Sequence, residues 1–262
     1  MKAIKEKLHN NILYLTCISI IIFNFAGYVY AKPKLDTQNE VIPFINNITD
    51  FNSIEGINYS FKRVDIIKDN TPFLHEKVKG RKNVWLVEMK NFHLKIKTPD
   101  PNFKDRYNRN FEILIDPNNG ELLRISSKYD GNDPDVGTAP NAEKVEKEFP
   151  NRKYLGFPDT LPNISFIDAL NIVQKFGVGM PYNAKEIDAQ YVWYSDEFRT
   201  KGEPQRVWII DLRGIPPIAP PLSDDATDIR AVNHIRYVIN AETGIILQAG
   251  NSPSPDFDTK SN

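Results

Sequence analysis

The sequence predicts an α+β protein made of two tandem repeats, each with one helix packed on an antiparallel sheet of about four strands. The first observation is a hairpin pattern at residues 111–123 that returns at residues 235–247. The second is a strand pattern around Trp85 that returns around Trp208, with a helical pattern ahead of each. Because self-similarity along a chain indicates repeated structural units, these observations predict the same fold twice.

Each hairpin pattern is an apolar run, a turn and a second apolar run. Asp116 and Asn240 can accept a hydrogen bond from the backbone two residues on, and Gly120 and Gly244 can adopt positive φ without steric cost. The two glycines stand 124 positions apart. Two apolar runs around such a turn predict a β-hairpin with the glycine at a bulge. These four residues, with the two tryptophans, form the predicted structural signature.

Alternation of apolar and polar residues predicts a half-buried strand around each tryptophan. On the polar face Glu88 stands with Lys90, and Asp211 stands with Arg213. Opposite charges in such positions are predicted to be exposed pairs that contribute well under about 1 kcal/mol each. The predicted buried face carries Trp85, Val87 and Met89 in the first copy and Trp208, Ile210 and Leu212 in the second.

A helix is predicted ahead of each strand group, at residues 42–51 and 164–173, because apolar residues recur there at i, i+4 and i+7. In the second helix Ser165 and Asp168 resemble a capping box. Gly177 is placed to end that helix. A further β-rich run follows each helix, at residues 57–67 and 187–194.

The first 31 residues have the pattern of a secretory signal peptide. Three lysines precede an apolar run at residues 12–23, and Ala31 ends a small-residue cleavage site. The mature protein is therefore expected to be periplasmic or secreted. A second interpretation is an uncleaved anchor, because residues 12–31 are long enough to span a bilayer. A membrane is an expected partner only in that case.

Composition limits the classes of function. Without the leader, 231 residues remain, with 30 basic and 33 acidic side chains and a net charge of −3. This near balance excludes a strongly basic nucleic-acid-binding protein, so no nucleic-acid partner is expected. The single cysteine, Cys17, lies in the leader, and the mature chain must therefore be held together by packing without a disulfide.

The stretch between the two copies is polar and contains four prolines, which is the composition of a linker. It is predicted to hold one short helix at residues 141–149. The last residues have no apolar pattern and are predicted to be disordered. The predicted organisation is a signal peptide at 1–31, a first repeat at 36–128, a linker at 129–160, a second repeat at 161–250 and a disordered tail at 251–262.

With helix, tryptophan strand and hairpin in view, each copy resembles a PepSY-type domain. The feature that carries the resemblance is a strand, an Asp-Ala-x-Thr-Gly turn and a return strand, after an N-terminal helix. The second copy has Asn240 for the aspartate, followed by Ala241, Thr243 and Gly244, and the first copy departs further at residues 116–120. The resemblance implies an exported, non-enzymatic module of a family proposed to bind peptides or restrain proteases.

Catalytic and metal-binding patterns are missing from the sequence. His75, His93 and His234 are the histidines of the mature chain, and none stands at metal-ligand spacing. There is no cysteine nucleophile, Gly-x-Ser-x-Gly motif or glycine-rich phosphate loop. Residues 130–135 could hold Ca²⁺ but lack the glycine and glutamate of an EF-hand loop, which favours a solvated turn. We therefore predict a non-catalytic protein with no cofactor and no metal.

An insertion at residues 214–222 carries Pro216, Pro217, Pro220 and Pro221. Polyproline II is already ordered, so docking it against a partner loses little entropy, and the four prolines are candidates for partner binding. The competing interpretation is that the segment only bridges two strands at the rim of the sheet.

We expect the protein to bind a protein or peptide outside the cytoplasm, with restraint of a protease as one form of that function. An open sheet leaves edges that can accept an added strand, and the two repeats could pair with each other and leave the outer edges free. A small hydrophobic-molecule carrier is the first alternative, with a cup between helix and sheet lined by Tyr191, Trp193, Tyr194 and Phe198. A hydrolase with an unrecognised site is the second. A large pocket would favour the carrier, and a buried histidine with a carboxylate would favour the enzyme.

Overall fold

The computed structural model of this protein describes residues 34–51, 58–66, 78, 80–94, 107–129, 131, 152–177, 180–218 and 232–250. The predicted signal peptide, the predicted helix at 141–149 and the predicted tail at 251–262 lie outside these residues. Within the described ranges, no helix has the length and apolar character needed to cross a membrane.

The described chain is dominated by strands. Two α-helices each precede a group of strands, and a short 3-10 helix at Pro181–Asn183 follows the second. In chain order the elements are α1 (Gln38–Thr49), β1 (Tyr59–Val64), β2 (Val84–His93), β3 (Asn108–Asp116), β4 (Glu121–Lys128), β5 (Arg152–Gly156), α2 (Phe166–Phe176), β6 (Glu186–Asp196), β7 (Gln205–Ile218), β8 (Val232–Asn240) and β9 (Ile246–Gly250).

All nine strands belong to one antiparallel sheet. The order across it is β1-β2-β3-β4-β6-β7-β8-β9, and β5 pairs with β6. The first half of β6 pairs with β4, with Ala189 opposite Ile125, and the second half pairs with β5, with Tyr194 opposite Tyr154. Strands β4 and β5 therefore follow each other along the same side of β6.

The predicted fold class, two tandem repeats that each place a helix on their own sheet, is wrong. The strands of both halves form one nine-stranded sheet, joined where β4 pairs with β6. The physical reason is visible in β4, where Leu123 is buried on one face and Ile125 on the other. A strand with apolar residues on both faces is poorly suited to an exposed edge, so pairing with β6 protects it.

Both helices cover the same face of the sheet, which we call the helix face. One continuous core lies there and runs from Ile45 of α1 through Phe111 of β3 to Phe166 of α2 and Trp208 of β7. The Phe51 and Phe166 rings meet edge to face, 5.9 Å apart between centroids. The other face of the sheet, the opposite face, buries a smaller apolar cluster that includes Leu114, Leu123, Val192, Ile209 and Val238.

Each predicted core tryptophan ties its strand to the residue just ahead of a helix. The Trp85 indole N–H donates to the carbonyl oxygen of Leu35 at 2.6 Å. The Trp208 indole N–H donates to the carbonyl oxygen of Ile164 at 2.7 Å, and this side chain is fully buried. Since a buried indole needs a partner for its N–H, these bonds hold the helices against the sheet.

Local capping groups set the limits of α2. Ser165 Oγ accepts a hydrogen bond from the Asp168 backbone N–H at 3.0 Å, which satisfies a donor that the first turn leaves unpaired. Gly177 ends the helix with a φ of 82°, a conformation that costs glycine little.

The two hairpin turns have matching local geometry. Asp116 Oδ1 accepts from Asn118 N–H at 3.0 Å, and Asn240 Oδ1 accepts from Glu242 N–H at 2.9 Å. Gly120 and Gly244 have φ of 65° and 73°. Each hairpin also has a register shift near its turn, which marks a bulge.

Candidate functional site

The two outer strands of the sheet differ in whether charged side chains protect their open edges against pairing with another chain. Strands β1 and β9 each pair with a single neighbour among the described residues. On β1, Lys62 Nζ lies 2.8 Å from Glu88, and the Arg63 guanidinium lies over the Trp85 ring, 3.7 Å from its centroid. Charges on an edge strand oppose pairing with another chain, so β1 is a guarded edge.

Strand β9 has no charged side chains that would oppose such pairing. Its sequence, Ile-Leu-Gln-Ala-Gly, has no charged residue and no proline. The side chain of the preceding Ile245 is 61% exposed, and Ala249 is also exposed. An uncharged edge without proline is the kind of strand that accepts another strand.

The hydrogen-bond alternation of the last hairpin shows which β9 groups face the open edge. Asn240 N–H donates to the Ile245 carbonyl at 2.8 Å, so Asn240 and every second residue before it on β8 bond toward β9. Tyr237 is on the other parity, and its partner across the ladder is Ala249. Ala249 therefore directs its backbone N–H and C=O away from β8, toward the open edge.

The proline candidates do not lie on either outer strand. Pro216 and Pro217 are in the last part of β7, between β6 and β8 in the sheet, where the pairing register shifts between Arg213 and Ile218. Pro220 and Pro221 lie outside the described residues.

Polar side chains cross the opposite face in two neighbouring rows. Direct cross-strand pairs define the first polar row, and the second polar row lies two residues further along the strands. The first row contains Ser60, Glu88, Glu112, Ser126, Asp188, Asp211 and Arg236. The second contains Asn110, Lys128, Glu186, Arg213 and His234.

Asp188 is the centre of a buried ion cluster at the junction of β4 and β6. The guanidinium of Arg124 binds both of its carboxylate oxygens, with Nη2 2.7 Å from Oδ2. Arg213 Nη2 lies 3.1 Å from the same oxygen, and its Nε lies 3.3 Å from Glu186. Burial alone would lower the pKa of Arg124, but the charge of Asp188 raises it above its usual value, so the arginine stays charged.

Asp211 anchors β7 to β8 in a second buried ion pair. Arg236 binds both of its oxygens, at 2.9 and 2.8 Å, and His234 Nε2 lies 2.9 Å from Oδ1. The prediction that Asp211 and Arg213 form an exposed pair is wrong, because both are buried and each binds other residues. Asp211 accepts a bidentate contact from Arg236 on β8, and Arg213 binds Glu186 and Asp188 on β6.

Sequence reasoning missed this network, although a signal for it exists. Arg124 stands between Leu123 and Ile125, and Asp188 stands between Ile187 and Ala189. A single charge inside an apolar run predicts a strand. The ion-pair partner of that charge, however, lies on a strand that is distant in sequence, so the local pattern does not show which residue it is. The register of β4 against β6 is what brings these two together.

A buried histidine next to a carboxylate was the mark expected of an enzyme, and the structure has a half-buried one, His234 beside Asp211. His234 has no hydrogen bond besides that to Asp211, so among the described residues no hydroxyl is poised on its other nitrogen. Burial would raise the pKa of Asp211, but the charge of Arg236 and the hydrogen bonds from His234 and Arg236 hold it far below its usual range. A carboxylate held ionised in this way is suited to an ion pair and unsuited to taking up protons at neutral pH.

The other chemical candidates occupy ordinary positions. His93 Nδ1 lies 2.9 Å from Asn108 Oδ1. His75 lies outside the described residues. Of the calcium candidate at 130–135, residue 131 alone is described. Across the part of the chain that the structure describes, no three His, Cys, Asp or Glu side chains are grouped to hold a metal ion.

The aromatic residues proposed for a carrier's cup do not line one cavity. Tyr191 is buried on the helix face and stacks beside Trp208, with ring centroids 5.4 Å apart. Tyr194 is buried on the opposite face, and Phe198 is 79% exposed in the turn after β6. Trp193 is only half-buried. No single ligand could contact these side chains together.

A depression of about 180 Å³ opens between β2, β3 and β4. It lies next to the bulge of β2, where Asn91 has a φ of 54° and donates its N–H to Asn110 Oδ1 at 3.0 Å. Its lining contains both signs of charge. The lining residues are Glu88, Met89, Lys90, Asn110, Glu112, Ser126 and Lys128.

The ion pair of Asp211 predicts a measurable pH dependence of stability. Its folded pKa lies below the unfolded value of about 3.9, so its contribution is complete above that pH and is lost as the pH falls. The free energy of unfolding of Asp211→Asn should therefore lie below the parent value at pH 7, and the difference should shrink below about pH 4. Urea unfolding across this range measures it, with Asp159→Asn as an exposed control. A difference that stayed constant down to about pH 2 would contradict the ion-pair assignment.

Comparison of the chain with protein-family models, with curated proteins and with solved structures finds no match. The resemblance to PepSY-type domains therefore stays a prediction from the hairpin residues, and function rests on the geometry described above.

Proposed function

We propose that this chain is a non-catalytic binding module that accepts an extended segment of a protein partner as an added strand along β9. The observation that carries the proposal is the uncharged edge of β9, where Ala249 directs its backbone groups outward. Added strands gain affinity from main-chain hydrogen bonds and selectivity from alternate side chains. Strand β5 also has a single neighbour among the described strands, but it begins with Arg152 and Lys153, so the basic residues of β1 and β5 leave β9 as the uncharged edge of the three.

The side chains near β9 suit an apolar segment. Ile246 and Leu247 are half-buried, and Ile245 is largely exposed beside them. A docked strand with β-branched or aromatic residues would cover this surface, and cross-strand pairs of that kind contribute about 0.2–1 kcal/mol each. The leader pattern supports export, so the partner would be met in the periplasm or outside the cell. Restraint of a protease would be one form of this function, because a segment held in a sheet is held in an extended and ordered state.

The test uses peptides that are selected for binding to the protein. Random dodecamers displayed on phage are selected against the full-length protein, and the affinity of the recovered peptides is measured by fluorescence anisotropy. Ala249→Pro removes the outward N–H without removing a bond to β8, so it should weaken peptide binding about tenfold or more. Ala249→Ser keeps the N–H and should bind as the parent does.

Hydrogen exchange provides the second readout. The Ala249 amide should exchange more slowly when the peptide is bound, because a strand on the edge gives it an acceptor. Equal peptide affinity of Ala249→Pro and the parent, or unchanged exchange at Ala249 in the complex, would exclude strand addition at β9. A thermal melt of both variants checks that the sheet stays folded.

A further inference from the structure

Strand addition at β9 would place one side chain of the partner beside α2. In an antiparallel pair, two residues that exchange both backbone hydrogen bonds stand directly opposite each other, with Cβ atoms about 5 Å apart on the same face. Because Ala249 directs both of its backbone groups to the open edge, one residue of an added strand would face it in this way. Ala249 pairs with Tyr237, a core residue of the helix face, so the partner's side chain would also lie on the helix face.

The last residue of α2 leaves an aromatic ring uncovered next to this position. Phe176 is 51% exposed, and its ring meets the Tyr237 ring edge to face, 6.1 Å apart between centroids. Tyr237 has two neighbours across the sheet, Ile210 on β7, which is fully buried, and Ala249 on β9, which is exposed. The side of the aromatic pair toward β7 is therefore covered by the core, and its open side is toward β9.

Ile172 extends this apolar surface along α2. It stands four residues before Phe176, so the two side chains lie on the same flank of the helix. A Cβ placed on Gly244, in the turn that joins β8 to β9, would lie 3.0 Å from Ile172 Cδ1. Ile172 and Phe176 thus form an apolar wall, and the Ala249 methyl group forms a low floor beside it. We call these three residues the α2–β9 shelf.

We propose that the α2–β9 shelf selects an aromatic side chain from the residue of the added strand that faces Ala249. This inference rests on the proposed strand addition and specifies which segment is accepted. An aromatic ring is long enough to cross the Ala249 methyl group and pack edge to face on Phe176, whereas a small side chain would leave Phe176 exposed to water.

The residues on either side of this aromatic position are under no such demand. Side chains alternate between the two faces of a strand, so these neighbours would point to the opposite face, over Gln248 and Gly250. One of those residues has a polar side chain and the other has none. The accepted segment is therefore extended, with an aromatic residue between two residues that need not be apolar. Strand β9 itself contains no aromatic residue, so a second copy of this chain paired through β9 would not supply the ring.

A double-mutant cycle between protein and peptide tests the inference. Each phage-selected dodecamer is compared with a version in which its aromatic residue is alanine. We expect the selected peptides to share an aromatic position, and its alanine substitution to weaken binding about tenfold. Phe176→Ser should weaken binding of the aromatic peptide about three- to tenfold and binding of the alanine peptide less than about twofold. Selected peptides without a shared aromatic position, or equal effects of Phe176→Ser on both peptides, would overturn the inference.

Further variants locate the effect. Ala249→Leu keeps the outward N–H but fills the floor of the shelf, so it should weaken binding of the aromatic peptide severalfold and change that of the alanine peptide little. Phe198→Ser, at the exposed phenylalanine in the turn after β6, is the matched control and should leave both affinities unchanged. Thermal melts check that each variant is folded. Phe176→Leu, which keeps an apolar side chain, should act in the same direction as Phe176→Ser with a smaller effect, and it replaces that variant in the cycle if Phe176→Ser does not fold.

The outcomes separate aromatic selection from strand addition itself. If Ala249→Pro leaves peptide affinity unchanged, strand addition at β9 is wrong and the inference falls with it. If Ala249→Pro weakens binding but Phe176→Ser acts equally on both peptides, strand addition stands and aromatic selection is wrong. A protein that sediments as a dimer and becomes a monomer in Ala249→Pro would assign the edge to a second copy and would also overturn the inference.

Discussion

Replacing Trp208 with alanine is expected to lower the free energy of unfolding by about 3–5 kcal/mol. The side chain is fully buried between α2 and the sheet, with the Phe166 ring 5.9 Å away and the Tyr191 ring 5.4 Å away. Truncation would remove this contact area and leave the Ile164 carbonyl without the indole N–H that now binds it at 2.7 Å. Urea unfolding followed by circular dichroism measures the loss.

Two further variants separate packing from hydrogen bonding. Trp208→Phe keeps a ring in the core but loses the N–H donor, so its cost should be smaller, about 1–3 kcal/mol. Trp193→Ala removes the same side chain from the neighbouring strand, where it is half-buried, and should cost much less. If Trp193→Ala destabilised the protein as much as Trp208→Ala, the helix-face core would not be the main source of stability.

The parts of the fold that were predicted from the sequence depend on short-range chemistry. Ser165 and Gly177 limit α2 because their bonds and dihedral angles act within one helical turn. Gly120 and Gly244 mark the hairpin turns because positive φ is a property of the residue itself. The strands around the tryptophans were found because alternation is repeated over seven residues.

The parts that were missed depend on which strands pair. Strand β5 lies inside the predicted linker at 129–160, where polar residues and prolines hide a five-residue strand that exists through its pairing with β6. The sequence allowed the two repeats to pair edge to edge, but no local pattern states that β4 and β6 are the strands that pair. The candidate site was the part least predictable from the sequence, because its residues come from three or four strands. Glu112 and Lys128 line the same depression as Ser126 only because the register of β3 against β4 brings them there.

Asp188→Asn is the second substitution with a large expected effect, a loss of about 3–5 kcal/mol in the free energy of unfolding. The change keeps the shape of the side chain but removes the charge that two buried arginines share. Arg213 has a side chain only 2% exposed, and Arg124 has one 13% exposed. Breaking a buried ion cluster leaves uncompensated charge in a region that water barely reaches, and this costs more than the cluster contributes when intact.

The position of Asp188 adds a second readout to this prediction. It lies on β6 opposite Ser126 of β4, at the junction through which the two halves of the sheet are joined. Backbone amides of β4 and β6 near this pair should therefore exchange faster in Asp188→Asn than amides of β2 or β8. Asp159→Asn, at an exposed site, is the control for the chemical change and should alter neither stability nor exchange.

A compensated variant decides between two explanations of that loss. If the loss comes from orphaned buried charge, replacing the most buried members of the cluster with apolar residues should recover most of it, because apolar replacements of buried ion clusters are often neutral or stabilising. The triple variant Arg124→Met, Asp188→Leu, Arg213→Met removes these three charges at once while roughly preserving the volume, and Glu186, whose side chain is 25% exposed, keeps its access to water. A triple variant as unstable as Asp188→Asn would contradict that explanation and would show that the attraction within the cluster itself holds β4 to β6.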